Sequence, residues 1–309
     1  MTATTSTNPV STTSSPTTPL TVAVLGPGGV GGLIGGLLAR DGHRVIFLAR
    51  EETAAALTRD GLHVRSAPYG EFTAQVEAAT ELREPVDLAL VTVKGTALAA
   101  ALDRMPAQAV AGATVIPLLN GLDHMAVLRE RYPAGRIVAG TIRVEATRTA
   151  PGRIEHSSPF AALELAAPVE ELAARLRHAG LDVTLREDET AMLWSKLSFL
   201  APFALLTTRY RTDAGTVRTE HRPELLAVLD EITAVSRAAG APAGAEGVLS
   251  FFDRAPAGMK SSMQRDAEAG RPIELDAIGG AVLRAAGAHG VDTPVVARLV
   301  HELSGEVNR

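Results

Sequence analysis

The 309-residue chain is 46% hydrophobic and 21% charged, a globular balance with length enough for two ordinary domains, which excludes a wholly disordered protein. A formal net charge of -5 with only 4% aromatics argues against a nucleic-acid surface, which needs clustered basic charge and stacking rings. Cysteine is absent, which removes disulfides, thiolate metal sites and a cysteine nucleophile, and which fits a reducing cytoplasm.

Residues 1–18 (MTATTSTNPVSTTSSPTT) are rich in Ser, Thr and Pro. They lack the basic start and apolar core of a secretory signal and read as a disordered tail. No apolar run approaches the roughly 20 residues needed to cross a bilayer. Regular patterning begins at Leu20. Thr21 to Leu25 (TVAVL) predicts a strand buried on both faces. A glycine-rich turn and a small-residue helix to about Arg40 follow; Asp41-Gly42-His43 breaks the helix, and Arg44 to Leu48 predicts a second strand. Helical and strand-like segments keep alternating, with Asp87 to Val93 and Thr114 to Leu119 as the clearest later strands. Such alternation means βαβ units and a mainly parallel sheet. After Gly140 come strand-like pieces (TIRVEATRT, GRIEHS, ALEL), a helix near Val169 to His178 and a strand at Asp182 to Leu185. From Arg186 onward the pattern is helical, broken by Gly and Pro. The expected division is a tail at 1–18, an α/β domain at 19–186 and an all-helical domain at 187–309, with no internal repeat.

Gly26-Pro27-Gly28-Gly29-Val30-Gly31 fits G-x-G-x-x-G, directly after the first strand and opening a helix. In that setting Gly26 permits the tight turn, Gly28 lets the backbone approach a pyrophosphate, and Gly31 lets helix and strand pack closely. Free N–H groups of Gly29, Val30 and Gly31 at the helix start then face the anion. The reading is a Rossmann-like, doubly wound dinucleotide domain. Domains selective for NAD usually place an acidic residue at the end of the second strand, whereas this strand ends Leu48-Ala49-Arg50. A guanidinium suits the 2′-phosphate of NADP, so NADPH is the expected cofactor; a solvated Arg50 beside Glu51 and Glu52 is the plainer alternative.

Asp188 to Leu206 predicts a helix in which Met192, Lys196, Leu200 and Ala204 share one face, with Phe203 adjacent. Lys196 thus lies on an apolar stripe. It could snorkel to water, or stand partly buried at a cleft between the domains as a proton donor.

The segments GPGGVG, VTVKGTAL around Lys94, LLNGLDH around Asn120, WSKL at Lys196, SSMQRDAEAGRPIELDAI at 261–278 and AHGVDTP at 288–294 occur in the order found in ketopantoate reductases (2-dehydropantoate 2-reductases). From about residue 20 to its C terminus the chain resembles that family. The resemblance implies NADPH-dependent reduction of 2-dehydropantoate to pantoate, a step of pantothenate synthesis, in the cleft between the domains. It implies that Arg50 and Lys94 meet the NADP phosphate and ribose, and that Asn120 lies near nicotinamide and substrate. Lys196 would protonate the ketone oxygen, Ser262 would contact the substrate carboxylate, and Glu274 would orient substrate and lysine. Each position has a structural alternative. Asn120-Gly121 suits a turn, Glu274 after Pro272 suits a helix N-terminus, Ser262 suits a cap, and Lys94 could be solvated.

Where the family usually carries substrate-binding asparagines, this chain has Leu200, Ala204 and Ala214. That favours, as an alternative, the same chemistry on another small 2-oxo acid or ketone; a non-catalytic NADPH-binding sensor is the third reading. His156 is expected to be a satisfied structural histidine. The remaining histidines show no metal-ligand spacing, and neither HExxH nor G-x-S-x-G occurs. The expected partner is a small 2-oxo acid, with no nucleic acid and no membrane; self-association as a homodimer is left open.

Overall fold

The computed structural model describes residues 18–133, 135–242 and 245–307. The expected tail therefore lies, apart from Thr18, outside the described residues. In chain order the first half comprises β1 (Thr21–Leu25), α1 (Gly29–Arg40), β2 (Arg44–Leu48), α2 (Glu51–Asp60), β3 (Leu62–Ser66), β4 (Gly70–Ala74), β5 (Glu77–Ala79), β6 (Leu88–Val91), α3 (Leu98–Leu102), β7 (Thr114–Pro117), α4 (His124–Arg131) and β8 (Arg136–Ile137). It continues with β9 (Gly140–Arg143), β10 (Ala146–Ala150), β11 (Arg153–His156), β12 (Ala162–Leu165), α5 (Glu170–His178) and β13 (Asp182–Leu185).

The principal sheet has the order β5-β2-β1-β6-β7-β8, and all its pairs are parallel. Its central strands are apolar on both faces for a simple reason. Along β1, Val22 and Val24 join one buried cluster with Leu33, Ile34 and Leu37 of α1, while Ala23 and Leu25 join a second cluster on the opposite face. Side chains alternate across a strand, so covering both faces requires an unbroken apolar run. The pieces after Gly140 do not extend this sheet. They form two smaller ones, β10-β11-β3-β4 and β13-β12-β9, in which parallel and antiparallel pairs mix. The expectation of a mainly parallel sheet holds for the principal sheet and missed these covering layers. His156 in β11 is buried, with its ring nitrogens 2.9 Å from Ser66 Oγ and 3.0 Å from Ser158 Oγ.

Every described element beyond β13 is helical: α6 (Glu189–Tyr210), α7 (Ala214–Glu220), α8 (Arg222–Ala238), α9 (Ala245–Arg254), α10 (Ser262–Glu268), a π-turn at Asp276–Gly280, α11 (Ala281–His289) and α12 (Pro294–Val307). Asp188 caps α6 by accepting from the Ala191 N–H at 2.9 Å. This helix has the length and apolarity to cross a bilayer, but 67% of its most apolar window is buried inside the fold. It packs against α7, α8, α10 and α12, and so is the axis of a helical core.

The turn between β1 and α1 is held by contacts that only glycine permits. Gly26 has φ +99, and a Cβ on Gly31 would stand 2.2 Å from Thr92 Oγ1 and 2.3 Å from the Gly26 carbonyl oxygen. Gly28 differs: a Cβ there would meet nothing within 4 Å. Gly31→Ala is therefore expected to cost about 1–3 kcal/mol by overpacking, while Gly28→Ala changes stability by less than about 0.5 kcal/mol. Denaturant unfolding of the two variants checks the contrast.

Candidate active site

The C-terminal ends of the central strands meet the helical half. Beyond β6, the Thr92 hydroxyl donates to the Gly26 carbonyl at 2.7 Å, fixing the start of the Lys94–Gly95 loop against the glycine turn. Beyond β7 lies Asn120-Gly121. Gly121 has φ +85, and a Cβ on it would fall 2.0 Å from the Ala277 carbonyl oxygen. The Asn-Gly pair thus serves two ends, turning the chain and letting it press onto the π-turn of the helical half.

Glu274 precedes that π-turn and is buried. Its Oε1 accepts from the Gly95 N–H at 2.9 Å and its Oε2 from the Asn120 side-chain amide at 3.0 Å. Both carboxylate oxygens are spent across the cleft, so complementing a helix N-terminus does not explain this residue.

Lys196 sits in the first half of α6 and is partly buried. It makes no hydrogen bond or ion pair among the described residues. Burial lowers its pKa to about 8; the Glu274 carboxylate works in the opposite direction, and the Arg143 guanidinium adds to the lowering. A freely snorkelling amine would not lose protons this readily. His124, at the start of α4, is the neighbour that sequence reasoning passed over. It is buried, and neither ring nitrogen has a partner. Burial first and the Lys196 ammonium second push it down to about 4, so the imidazole is neutral near pH 7.

Lys94 is exposed but not free of a partner. Its Nζ lies 2.5 Å from Oδ2 of the buried Asp266 on α10, whose other oxygen accepts from Arg271 Nε at 2.9 Å. Asp266 is a second residue missed at the sequence level. Arg50 stands apart from this cluster, at the N-cap of α2 beyond β2; it is exposed and has no partner among the described residues. Ser262 begins α10 and is exposed; the cap is Ser261, whose Oγ accepts from the Gln264 N–H at 3.1 Å. Capping is therefore not the work of Ser262. Ala204 and Ala214 lie buried in the helical core, and Leu200 is partly buried against it.

The glycine turn fits a dinucleotide. Among the described residues no backbone acceptor or capping side chain meets the N–H groups of Gly29, Val30 and Gly31, no acidic residue sits in the first turn of α1, and a Cβ on Gly28 would meet nothing within 4 Å. Such a helix start attracts phosphate. Among the described residues no group of three or more His, Asp or Glu has a metal-binding arrangement.

Comparison with known proteins agrees with this layout. Residues 22–168 match the family described as ketopantoate reductase PanE/ApbA, and residues 188–306 match ketopantoate reductase PanE/ApbA C terminal. The 2-dehydropantoate 2-reductase of Halobacterium salinarum is 30% identical over 299 residues, covering 90% of this chain and 96% of the relative. That of Caulobacter vibrioides is 29% identical over 286 residues, with coverage of 90% and 96%. The crystal structure of 2-dehydropantoate 2-reductase from Geobacter metallireducens superposes with a TM-score of 0.84 at 28% identity, over 93% of this chain and 100% of that one. A D-mandelate dehydrogenase solved with NADH and anilino(oxo)acetate shares the fold at 21% identity, with a TM-score of 0.84 and coverage of 93% and 98%.

Because Glu274 raises the Lys196 pKa against burial, removing its charge should release that restraint. Glu274→Gln is expected to move the lysine titration below its present value of about 8. Side-chain NMR of Lys196 across a pH series measures this directly, and an unmoved titration would remove Glu274 from the lysine's electrostatic surroundings.

Proposed function

The chain belongs to the ketopantoate reductase family, and from that premise we propose that it reduces a small 2-oxo acid with NADPH, the leading substrate being 2-dehydropantoate and its product pantoate. In this reading residues 19–186 bind the cofactor and residues 187–309 supply the proton donor, in a cytoplasmic setting that the absence of cysteine favours. The observation that carries the reading is the Lys196 ammonium, unpaired, partly buried and brought to about 8 within the field of Glu274. A general acid works best with a pKa near the working pH.

The N–H groups of Gly29, Val30 and Gly31 would hold the pyrophosphate, and the Arg50 guanidinium, without a partner among the described residues, would take the 2′-phosphate that distinguishes NADPH from NADH. Bound NADPH supplies the hydride that adds to the carbonyl carbon. Lys196 Nζ gives a proton to the carbonyl oxygen as negative charge develops there, and water restores the ammonium afterwards. Glu274 keeps the lysine protonated and, through its bond to the Asn120 amide, sets the side of the cleft nearest the nicotinamide. Lys94, ion-paired with Asp266, would meet the ribose, and Ser262, exposed at the start of α10, would meet the substrate carboxylate. Leu200, standing where the family usually has an asparagine, favours a second reading, the same reaction on a less polar 2-oxo acid or ketone.

Following NADPH absorbance with 2-dehydropantoate and a panel of 2-oxo acids tests the reading, and turnover of another panel member far above 2-dehydropantoate would transfer the assignment to it. Lys196→Ala is expected to lose about 10²–10⁴-fold in kcat, the usual contribution of a positioned acid. The wild-type rate should fall as pH rises through about 8, where the ammonium gives up its proton. His124, already neutral above about 4, adds no second limb between pH 6 and 8 (roughly the span set by its displacement from an ordinary histidine). Arg50→Ala should erode the preference for NADPH over NADH in thermal-shift binding while leaving NADH affinity unchanged.

A further inference from the structure

The substrate class just proposed carries a full negative charge one bond from its reacting carbonyl, and the cleft must meet that charge. Most cationic side chains around the cleft are already committed. Lys94 and Arg271 share Asp266, Arg265 on α10 is ion-paired with Glu145, and Arg284 is paired with Asp123 and Asp276. Apart from Lys196, Arg143 is the exception, its ion pair to Glu164 leaving most of its fork unspent.

Arg143 ends β9, and its surroundings fix where it stands. Three residues further on, the Ala146 carbonyl oxygen lies 2.0 Å from where a Cβ on Gly29 would be, so this stretch of chain crosses the start of α1. Glu145, between them, reaches α10 of the helical half. Arg143 itself is close enough to Lys196 for its charge to act on the ammonium. It therefore stands among the glycine turn, α10 and the proton donor.

The guanidinium is also under-used. Its one contact is an ion pair at 3.3 Å with Oε2 of the buried Glu164, and it makes no hydrogen bond among the described residues. Glu164 is mainly engaged elsewhere: Arg186 donates to Oε1 through both Nε, at 2.8 Å, and Nη2, and the Thr141 hydroxyl donates to Oε2. Two guanidiniums against one carboxylate leave a net positive charge. Arg143 keeps 49% of its side-chain surface exposed, with its N–H fork unspent. Burying a cation's field beside a lysine that must stay protonated works against the lysine, a cost that a bound anion would cancel.

We propose that Arg143 is the carboxylate anchor for the 2-oxo acid, held at the cleft wall by Glu164 and presenting its fork to the substrate's acid group while Lys196 meets the adjacent carbonyl oxygen. This rests on the proposed reduction of a 2-oxo acid, and adds the residue that selects acids over neutral ketones. A planar fork matches a carboxylate with two parallel hydrogen bonds, which a serine hydroxyl cannot do.

The test compares the 2-oxo acid that wild-type enzyme reduces fastest with its primary amide, and adds calorimetric binding of the corresponding 2-hydroxy acid and its amide in the presence of NADP. Arg143→Gln is expected to raise KM for the acid and weaken binding of the hydroxy acid by about 10–100-fold, the range for a charge-assisted pair. The amides should change by less than about threefold, and kcat should follow them. Arg143→Lys should recover part of the affinity, since charge returns without the fork. A general structural defect would weaken acid and amide alike, and that outcome, or an unchanged KM in a variant that still folds, overturns the anchor. Wild-type enzyme that reduces no 2-oxo acid overturns instead the reaction on which it stands.

Discussion

A carboxylate sealed between two halves of a protein is costly unless every lone pair facing the interior finds a donor. Glu274 satisfies that condition only because the loops after β6 and β7 bring it the Gly95 N–H and the Asn120 amide. The dependence runs both ways. Those loops reach it only because Gly121 lies flat against the Ala277 backbone, an approach that a side chain at position 121 would block. One acid thus ties the helical half to the strand ends, and its charge opposes the burial that lowers the Lys196 pKa to about 8. Placing the proton donor and holding its proton are two consequences of one interaction.

The parts legible in the sequence are those governed by local physics. The apolar runs of β1, β2, β6 and β7 had to be strands covered on both faces, and Gly26 to Gly31 had to be a turn opening a helix, because no other arrangement suits those residues. The β3-β4 hairpin and the regrouping of the pieces after Gly140 into two small mixed sheets were not legible. Pairing β11 with β3 joins residues about ninety apart in the chain, as Ser66 and His156 show, and no periodicity encodes a partner at that distance. The start of α6 was readable from Asp188, while its end, expected at Leu206, lies at Tyr210; the state of Lys196 was not readable, since its stripe is equally compatible with snorkelling and with a cleft.

The same distinction separates the site residues. Lys94, Asn120, Lys196 and Glu274 fell in segments whose order resembles a known family, and the structure brings Asn120, Glu274 and Gly95 together by hydrogen bonds and Lys196 by its field. Asp266 and His124 lay inside the same segments, yet nothing one-dimensional distinguished them from neighbouring polar residues. Only burial does. Asp266 matters because it is buried while two exposed cations pair with it, and His124 because its buried ring nitrogens have no partner among the described residues. Arg143, the exposed last residue of an otherwise buried strand, had no motif at all; it becomes conspicuous only once its carboxylate partner is seen to be held by another arginine.

What the cleft reads in its ligand follows from which polar groups remain unspent. An amide side chain can read a hydroxyl, and the places where amides were expected at Ala204 and Ala214 have become part of the helical core, closed off by neighbouring helices. A guanidinium reads a carboxylate. With Arg143 and Lys196 meeting a 2-oxo acid as proposed, polar recognition would fall at the acid end of the substrate. A missing methylene or an added hydroxyl against an apolar wall changes binding by only about 1–3 kcal/mol, whereas an unpaired charge is rejected far more strongly. The physical expectation for this architecture is strict selection for the acid function and tolerance in the group attached to it.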